Sequence, residues 1–218
     1  GYTIIQTLIQ DKYLILLSND TWVTYDVPSL TKVAHVPTPL DAQHGTPEHR
    51  EDLSNIHQSK GFVEVEEGDI VFDVGAYIGT FSMFAAGYAD TVISIDPYAS
   101  VSSCLEKNTA EFNNIKVLPI ACWDRTTTLE LNLSKTPNEN SILDTDAKSF
   151  DSGEQVDVRA DTVANIAKEK DIEKIDFLKL EGEGVEPEIL EGALGENVTI
   201  DKISIDCSPE RSGDTPTN

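Results

Sequence analysis

Asp69-Ile-Val-Phe-Asp-Val-Gly-Ala-Tyr-Ile-Gly-Thr-Phe81 is the stretch from which the fold can be read. Its apolar run Ile70 to Phe72 predicts a strand over 70–74 that ends in an acid, Asp73. Gly75 and Gly79 then predict a tight turn opening a helix over 79–88. A second apolar run, Thr91 to Ile95, closes on another acid, Asp96. Strand, glycine turn, helix and strand with a terminal acid predict a doubly wound, mostly parallel α/β sheet of Rossmann-like type. Such a sheet holds a nucleoside-bearing ligand at the carboxyl ends of its strands.

The alternation continues downstream. Strands are expected at 115–120, 175–180 and 202–207, with helices at 99–111, from Asp161 as cap to about Lys170, and at 187–193. Thr128 to Leu133 and Gln155 to Arg159 both alternate at period two, which predicts an inserted antiparallel pair at the sheet edge. Upstream, Tyr13 to Leu17 and Trp22 to Val27 flank Ser18-Asn-Asp20 and predict a hairpin. Pro37, Pro39 and Gly45 mark a link. Thr46 and Pro47 suit the start of a short helix to Gln58, and Phe62 to Val65 suits a short strand. The organisation expected is an N-terminal extension over residues 1–60 and a ligand-binding domain over 61–218.

Composition narrows the partners. Sixteen basic residues against 39 acidic ones give a formal charge of −23. Such a charge repels a nucleic-acid backbone. The acids are dispersed, which suits solubility in high salt, although 12 lysines against 4 arginines run against the usual salt-adapted pattern. No apolar stretch is long enough to span a membrane. Cys104, Cys122 and Cys207 lie far apart in apolar contexts, as expected of reduced thiols in the cytoplasm. The four histidines, His35, His44, His49 and His57, match no zinc spacing and all precede the first glycine turn, so no metal site is expected.

The turn at 73–79 lacks the third glycine of a dinucleotide fingerprint and carries an acid where a phosphate would want none. That excludes a nicotinamide dinucleotide and favours a ligand with a cationic amino-acid part. S-adenosylmethionine, with its ammonium and sulfonium, fits. Asp73 is then expected near the methionine end. Gly75, Ala76, Tyr77, Gly79 and Thr80 are expected along the cofactor, with Asp96 and Pro97 at the ribose. The competing reading makes Asp73 a turn residue and Asp96 a helix cap.

At four places the chain resembles the FkbM family of S-adenosylmethionine-dependent methyltransferases: Asp73 to Phe81, Ile95-Asp-Pro97, Phe177 to Gly192 and Asp206 to Arg211. It departs from the family pattern at Tyr77, where Asn is common, and at Glu181-Gly182, where an Asp and a small apolar residue are usual. The resemblance implies a class I methyltransferase fold and O-methylation of a hydroxyl on a sugar or small molecule. It further implies that the loop after the 115–120 strand, with Cys122, Trp123 and Asp124, borders the adenine. Asn138 to Ser141 resembles a family segment close to the cofactor. Class I enzymes continue with a further strand pair beyond the equivalent of 202–207, so the last strands are expected to be missing from this chain. Its start at Gly1 likewise fits a start that lies upstream.

Glu181, Glu183 and Glu186 crowd the end of the 175–180 strand. They can orient cofactor and acceptor, hold a divalent cation, or favour the N-terminus of the following helix. Loss of the acceptor proton calls for a base, and Glu181 and Glu183 are the candidates unless His57 folds over the site. The alternative function is a binding module of the same fold without turnover.

Overall fold

The computed structural model describes residues 55–134, 140–143, 151–195 and 198–206, together with the backbone of four N-terminal strands. Those strands are β1 (Thr3–Ile5), β2 (Tyr13–Ser18), β3 (Thr21–Asp26) and β4 (Val33–Val36). They form an antiparallel sheet in chain order. The expected hairpin is its centre, with Ser18 opposite Thr21. β1 and β4 extend it on either side. The helix expected over 47–58 falls mostly outside the described residues; Asn55 and Ile56, at its end, are helical. The short strand expected at 62–65 does not form. Ser59 and Val63 instead make a single antiparallel bridge around a tight turn, and Phe62 at its tip is exposed.

The main body is built on β5 (Ile70–Val74), β6 (Thr91–Ile95), β7 (Ile115–Leu118), β11 (Lys174–Leu180) and β12 (Thr199–Ile205). They form one parallel sheet in the order β12-β11-β5-β6-β7. Helices α1 (Thr80–Ala85), α2 (Ala99–Thr109), α3 (Val163–Glu169) and α4 (Glu186–Ala193) follow strands in sequence. The central strands β5, β6 and β11 are largely buried because the sheet is covered on both faces there, whereas the edge strands β7 and β12 hold no buried residue. Phe72, Ile93, Leu178 and Leu180 pack with Val163, Ile166 and Ile189 on one face, while Val71, Val92 and Phe177 pack with Phe81 and Ala85 on the other.

Two expectations are corrected here. β9 (Thr127–Ser134) and β10 (Asp151–Asp161) do pair antiparallel, but not at the edge of the main sheet. With the two-residue β8 (Ala121–Cys122), which runs parallel to β10, they make a separate three-stranded sheet. The chain turns away after β7, where the Ile120 N–H bonds back to the Leu118 carbonyl at 3.0 Å. The second correction concerns the cap of α3. Thr162 is the N-cap, its side chain accepting from the Asn165 N–H at 2.9 Å. Asp161 instead ties the preceding loop to the helix, accepting from Thr126 Oγ1 at 2.8 Å and Asn165 Nδ2 at 2.9 Å. Among the described residues no helix is long and apolar enough to cross a membrane.

Candidate active site

In parallel strands in register, every second residue of a strand faces the same side, so equivalent positions on neighbouring strands form rows. The lowest row on one face is apolar, with Phe177, Val71 and Val92 as neighbours. Two residues further along comes a polar row, Lys179, Asp73 and Ser94, again side by side. Beyond the strand ends lie Glu181, Gly75 and Asp96. There Glu181 N–H donates to Val74 O at 3.1 Å, Gly75 N–H to Ile95 O at 3.0 Å and Asp96 N–H to Leu118 O at 3.2 Å.

The middle row is buried, Asp73 at 0 % and Lys179 at 3 % exposure. A buried charge survives only when paired and hydrogen-bonded. Here Lys179 Nζ lies 3.0 Å from Asp73 Oδ1 and 2.8 Å from Glu181 Oε2, and it donates to Gly75 O at 2.8 Å. Ser82 Oγ donates to Asp73 Oδ2 at 2.5 Å, and Ser94 Oγ donates to Ser82 Oγ at 2.7 Å. Burial lowers the Lys179 pKa, but the charges of Asp73 and Glu181 outweigh it and hold the ammonium above its ordinary range. Burial likewise favours a protonated Glu181, yet the Lys179 charge beside it wins, keeping this carboxylate well below the usual range. Lys179 is thus shared between two acids, Asp73 beneath it and Glu181 above it.

Above these rows is a cavity of about 310 Å³. Of the residues expected from sequence, Gly75, Ala76, Tyr77, Thr80, Asp96, Pro97, Cys122, Glu181 and Glu183 line it. Asp73, Gly79, Trp123 and Asp124 do not. Asp73 sits one row beneath the floor. Gly79 is the left-handed N-cap of α1. Trp123 packs against the apolar clusters, and Gly192 comes so close to its backbone that a Cβ there would lie 2.0 Å from its carbonyl oxygen. Asp124 pairs at 2.9 Å with the exposed Arg125. The Cys122 thiol is pushed upward by burial and by the Asp161 charge, so it stays protonated.

The turn itself is tight. Gly75, Tyr77 and Gly79 all have positive φ, at 72°, 50° and 90°. Asn tolerates the left-handed region better than Tyr does, which gives a physical reason for Asn being common at this position in the family that the motif resembles. The Tyr77 N–H donates to Asp96 Oδ2 and the Tyr98 N–H to Asp96 Oδ1, each at 3.1 Å. Each oxygen keeps a lone pair for a ligand hydroxyl.

Of three further residues at or beside the cavity, Lys179 alone is unexpected from sequence, since His57 and the Asn138 to Ser141 segment are named above. Lys179 carried a signal: a lysine between Leu178 and Leu180 in a strand buried on both faces must find a buried acid. His57 does not line the cavity but packs behind Glu181, its Nε2 3.5 Å from Glu181 Oε2, so the candidate base remains a carboxylate. Asn140 lines the cavity from the polar loop; its Oδ1 accepts from Ser134 N–H at 2.8 Å, and its buried Nδ2 has no hydrogen-bond partner. Asn138 lies outside the described residues. Of the three acids after β11, Glu186 turns inward and its Oε1 accepts from the Gly182 and Gly184 N–H groups at 2.7 and 3.2 Å, closing the loop. Among the described residues no group of three or more His, Cys, Asp or Glu is placed to hold a metal ion.

Burial pushes the Asp96 carboxyl up to about 7, outweighing the N–H donors of Tyr98 and Tyr77. A folded-state pKa above the ordinary 3.8 means that Asp96 contributes stability fully at low pH and loses it as pH rises to about 7. A ligand whose hydroxyls donate to the ionised form works in the opposite direction. We therefore expect the affinity for S-adenosylhomocysteine to fall below pH 7, by up to ~10-fold per pH unit for one linked proton. In Asp96→Asn this slope disappears and affinity at pH 8 drops. Calorimetric titration between pH 5.5 and 8.5 measures both, and an unchanged slope in the variant would exclude Asp96 as its source.

A parallel sheet with a glycine turn after its central strand, and a cavity at the carboxyl ends of its strands, is the arrangement of α/β proteins that bind nucleoside cofactors. Residues 73–216 match the model of the methyltransferase FkbM domain, and the chain belongs to that family of S-adenosylmethionine-dependent methyltransferases. No curated protein matches the chain significantly. Similar solved structures include a precorrin 8w decarboxylase from Methanobacterium thermoautotrophicum, 18 % identical with a TM-score of 0.41, over 73 % of this chain and 62 % of that one. Another is phosphoethanolamine N-methyltransferase 1 of Haemonchus contortus, 15 % identical with a TM-score of 0.29, over 56 % and 33 %. A third is a SAM-dependent methyltransferase from Agrobacterium tumefaciens, 16 % identical with a TM-score of 0.27, over 50 % and 33 %. The chain thus spans less than two thirds of the length of each. Membership rests on the family match and not on these likenesses.

Proposed function

We propose that this chain transfers the methyl group of S-adenosylmethionine to a hydroxyl of a sugar, glycan or other small molecule. The observation that carries this reading is the placement of Glu181, Gly75 and Asp96 at the ends of three adjacent strands, under one cavity, within the family-matched segment. Neighbouring strands are about 4.8 Å apart, so Glu181 and Asp96 stand roughly 10 Å apart across the floor. That is the reach of a nucleoside with an amino-acid arm. Asp96 takes the ribose hydroxyls and Glu181 takes the cationic end. Gly75 lets the ligand lie close to the backbone, and Asn140 Nδ2 offers a donor near the apolar base pocket of Pro97, Ile120 and Ile142.

When bound, the cofactor supplies an electrophilic methyl on a sulfonium, whose carbon–sulfur bond breaks as the oxygen–carbon bond forms. Glu181, ionised well below the usual range by Lys179, is a weak base and serves as a counter-charge. Glu183, on the same rim, takes the acceptor proton. Much of the rate then comes from alignment of oxygen, methyl and sulfur. With its two described cysteines buried and free, we place the protein in a reducing, cytoplasmic setting. The net charge of −23 disfavours nucleic acid as acceptor.

The test is transfer of label from S-adenosylmethionine to a panel of glycan and small-molecule hydroxyls, alongside calorimetry. Glu181→Gln is expected to lose about 10-fold or more in cofactor affinity, and Glu183→Gln to keep affinity but lose about 100-fold in turnover. Near-normal turnover in both would remove the carboxylates from the mechanism. Tight binding with no transfer to any acceptor would favour a binding module.

A further inference from the structure

We propose that His57 is a positioning residue that aims the Glu181 carboxylate at the cationic end of the cofactor. The inference rests on the cofactor reading above and adds a residue that precedes the family-matched segment, which begins at Asp73. His57 is 2 % exposed, and among the described residues its Nε2 has no hydrogen bond within ordinary limits. A buried ring nitrogen without a partner is costly, so its presence calls for a reason. The polar group it faces is Glu181 Oε2 at 3.5 Å, and hydrogen bonds of catalytic sites are often long before ligand binds.

The ring cannot easily turn elsewhere. It stands edge-on to Phe81, with centroids 5.6 Å apart and planes at 78°, and Phe81 in turn lies 5.8 Å from Phe177 in the sheet-face core. The backbone around it is pinned as well. Gln58 Oε1 accepts from the Val65 N–H at 2.8 Å, and the Ser59–Val63 bridge closes the next turn. His57 is thus delivered to Glu181 by an apolar column running beside the Lys179–Asp73 row.

The consequence is geometric. The terminal torsion of a glutamate is broad and two-fold, so one donor does not fix the plane of its carboxylate. Here Lys179 and His57 both address Oε2, which leaves Oε1 for the ligand. Removing His57 leaves Lys179 to hold the charge but lets the carboxylate rotate. The amino-acid arm of the cofactor should feel this, and the adenosine half should not.

The experiment compares two probes by calorimetry, S-adenosylhomocysteine, which carries the amino-acid arm, and 5′-methylthioadenosine, which lacks it. His57→Phe keeps the ring contact with Phe81 and removes the donor. We expect it to weaken S-adenosylhomocysteine by about 10-fold and methylthioadenosine by less than about 2-fold, the loss being one charge-assisted hydrogen bond. His57→Gln, whose side-chain amide can place a donor near the Nε2 position, should recover most of the affinity, and His57→Leu, which also lacks the donor, gives the same comparison should the Phe variant not fold. Equal loss of both probes, or of neither, overturns the assignment. If the unmodified protein binds neither probe, the cofactor reading itself fails and this one falls with it. If it binds both and His57→Phe binds like wild type, only the role of His57 is lost.

Discussion

Lys179→Met is expected to destabilise the protein by about 3–5 kcal/mol, the cost of breaking a buried ion pair by removing one partner. Asp73 is fully buried, and Ser82 is the one neutral donor to its carboxylate among the hydrogen bonds described above. Without the ammonium at 3.0 Å its charge is uncompensated. The total stability of such a domain is about 5–15 kcal/mol, so the variant should unfold at markedly lower urea concentration. The double variant Asp73→Asn/Lys179→Met removes the charge as well as its partner and should recover a large part of the loss. The pH dependence follows from the shifts. Glu181 is held below its ordinary pKa, so its contribution is present above about pH 4.5 and is lost only in stronger acid. Lys179 is held above its ordinary value, so its contribution is present below about pH 10.5 and is lost only as pH rises further. The contributions of these two groups in the wild-type protein should therefore be flat between about pH 5 and 10. A penalty under about 1 kcal/mol at pH 8 would contradict a buried triad.

This triad also shows where sequence stops being legible. The central strands β5 and β6 could be read because each is a largely apolar run closed by a turn signal, whereas the edge strand β12 alternates polar and apolar residues. Asp73 was visible as an acid in the wrong place for a phosphate, and Asp96 as an acid at the next strand end. Their roles differ in a way only register decides. Asp96 lines the cavity, whereas Asp73 lies beneath it, because Lys179 comes alongside from a strand 104 residues beyond Gly75. His57 was legible as a residue and not as a neighbour of Glu181, since nothing local ties Asn55–His57 to the end of β11. The reverse error has a local cause. Phe62 to Val65 has strand composition, but Gly61 at φ 80° and the Ser59–Val63 bridge consume it in a turn. Trp123 has the chemistry to stack on a base, and only the close approach of Gly192 assigns it to packing.

Gly75→Ala should have the second large effect, and on binding more than on folding. A Cβ at this position would lie 1.8 Å from the Glu181 carbonyl oxygen, and the backbone is at φ 72°. The left-handed conformation alone costs a non-glycine residue about 1–2 kcal/mol. The clash adds to it, because a carbonyl at the end of a buried strand cannot swing aside as a side chain can. Relief requires that β5 and β11 part at their carboxyl ends. That movement lengthens the Glu181 N–H bond to Val74 O, now 3.1 Å, and the Lys179 bond to Gly75 O, now 2.8 Å. The floor of the cavity is then displaced where the cationic arm must rest. We expect about 2–4 kcal/mol lost in stability and at least about 100-fold in S-adenosylhomocysteine affinity, since several charge-assisted contacts move together. Gly79→Ala is the control. Its φ of 90° carries a similar conformational cost, but its Cβ would meet Leu105 Cδ1 at 2.6 Å, the end of a flexible side chain that can give way. Its loss should be confined to stability, with affinity within about 5-fold of wild type. Equal losses of affinity in the two variants would mean that the turn as a whole matters, and that the approach of Gly75 to Glu181 has no special part in shaping the site.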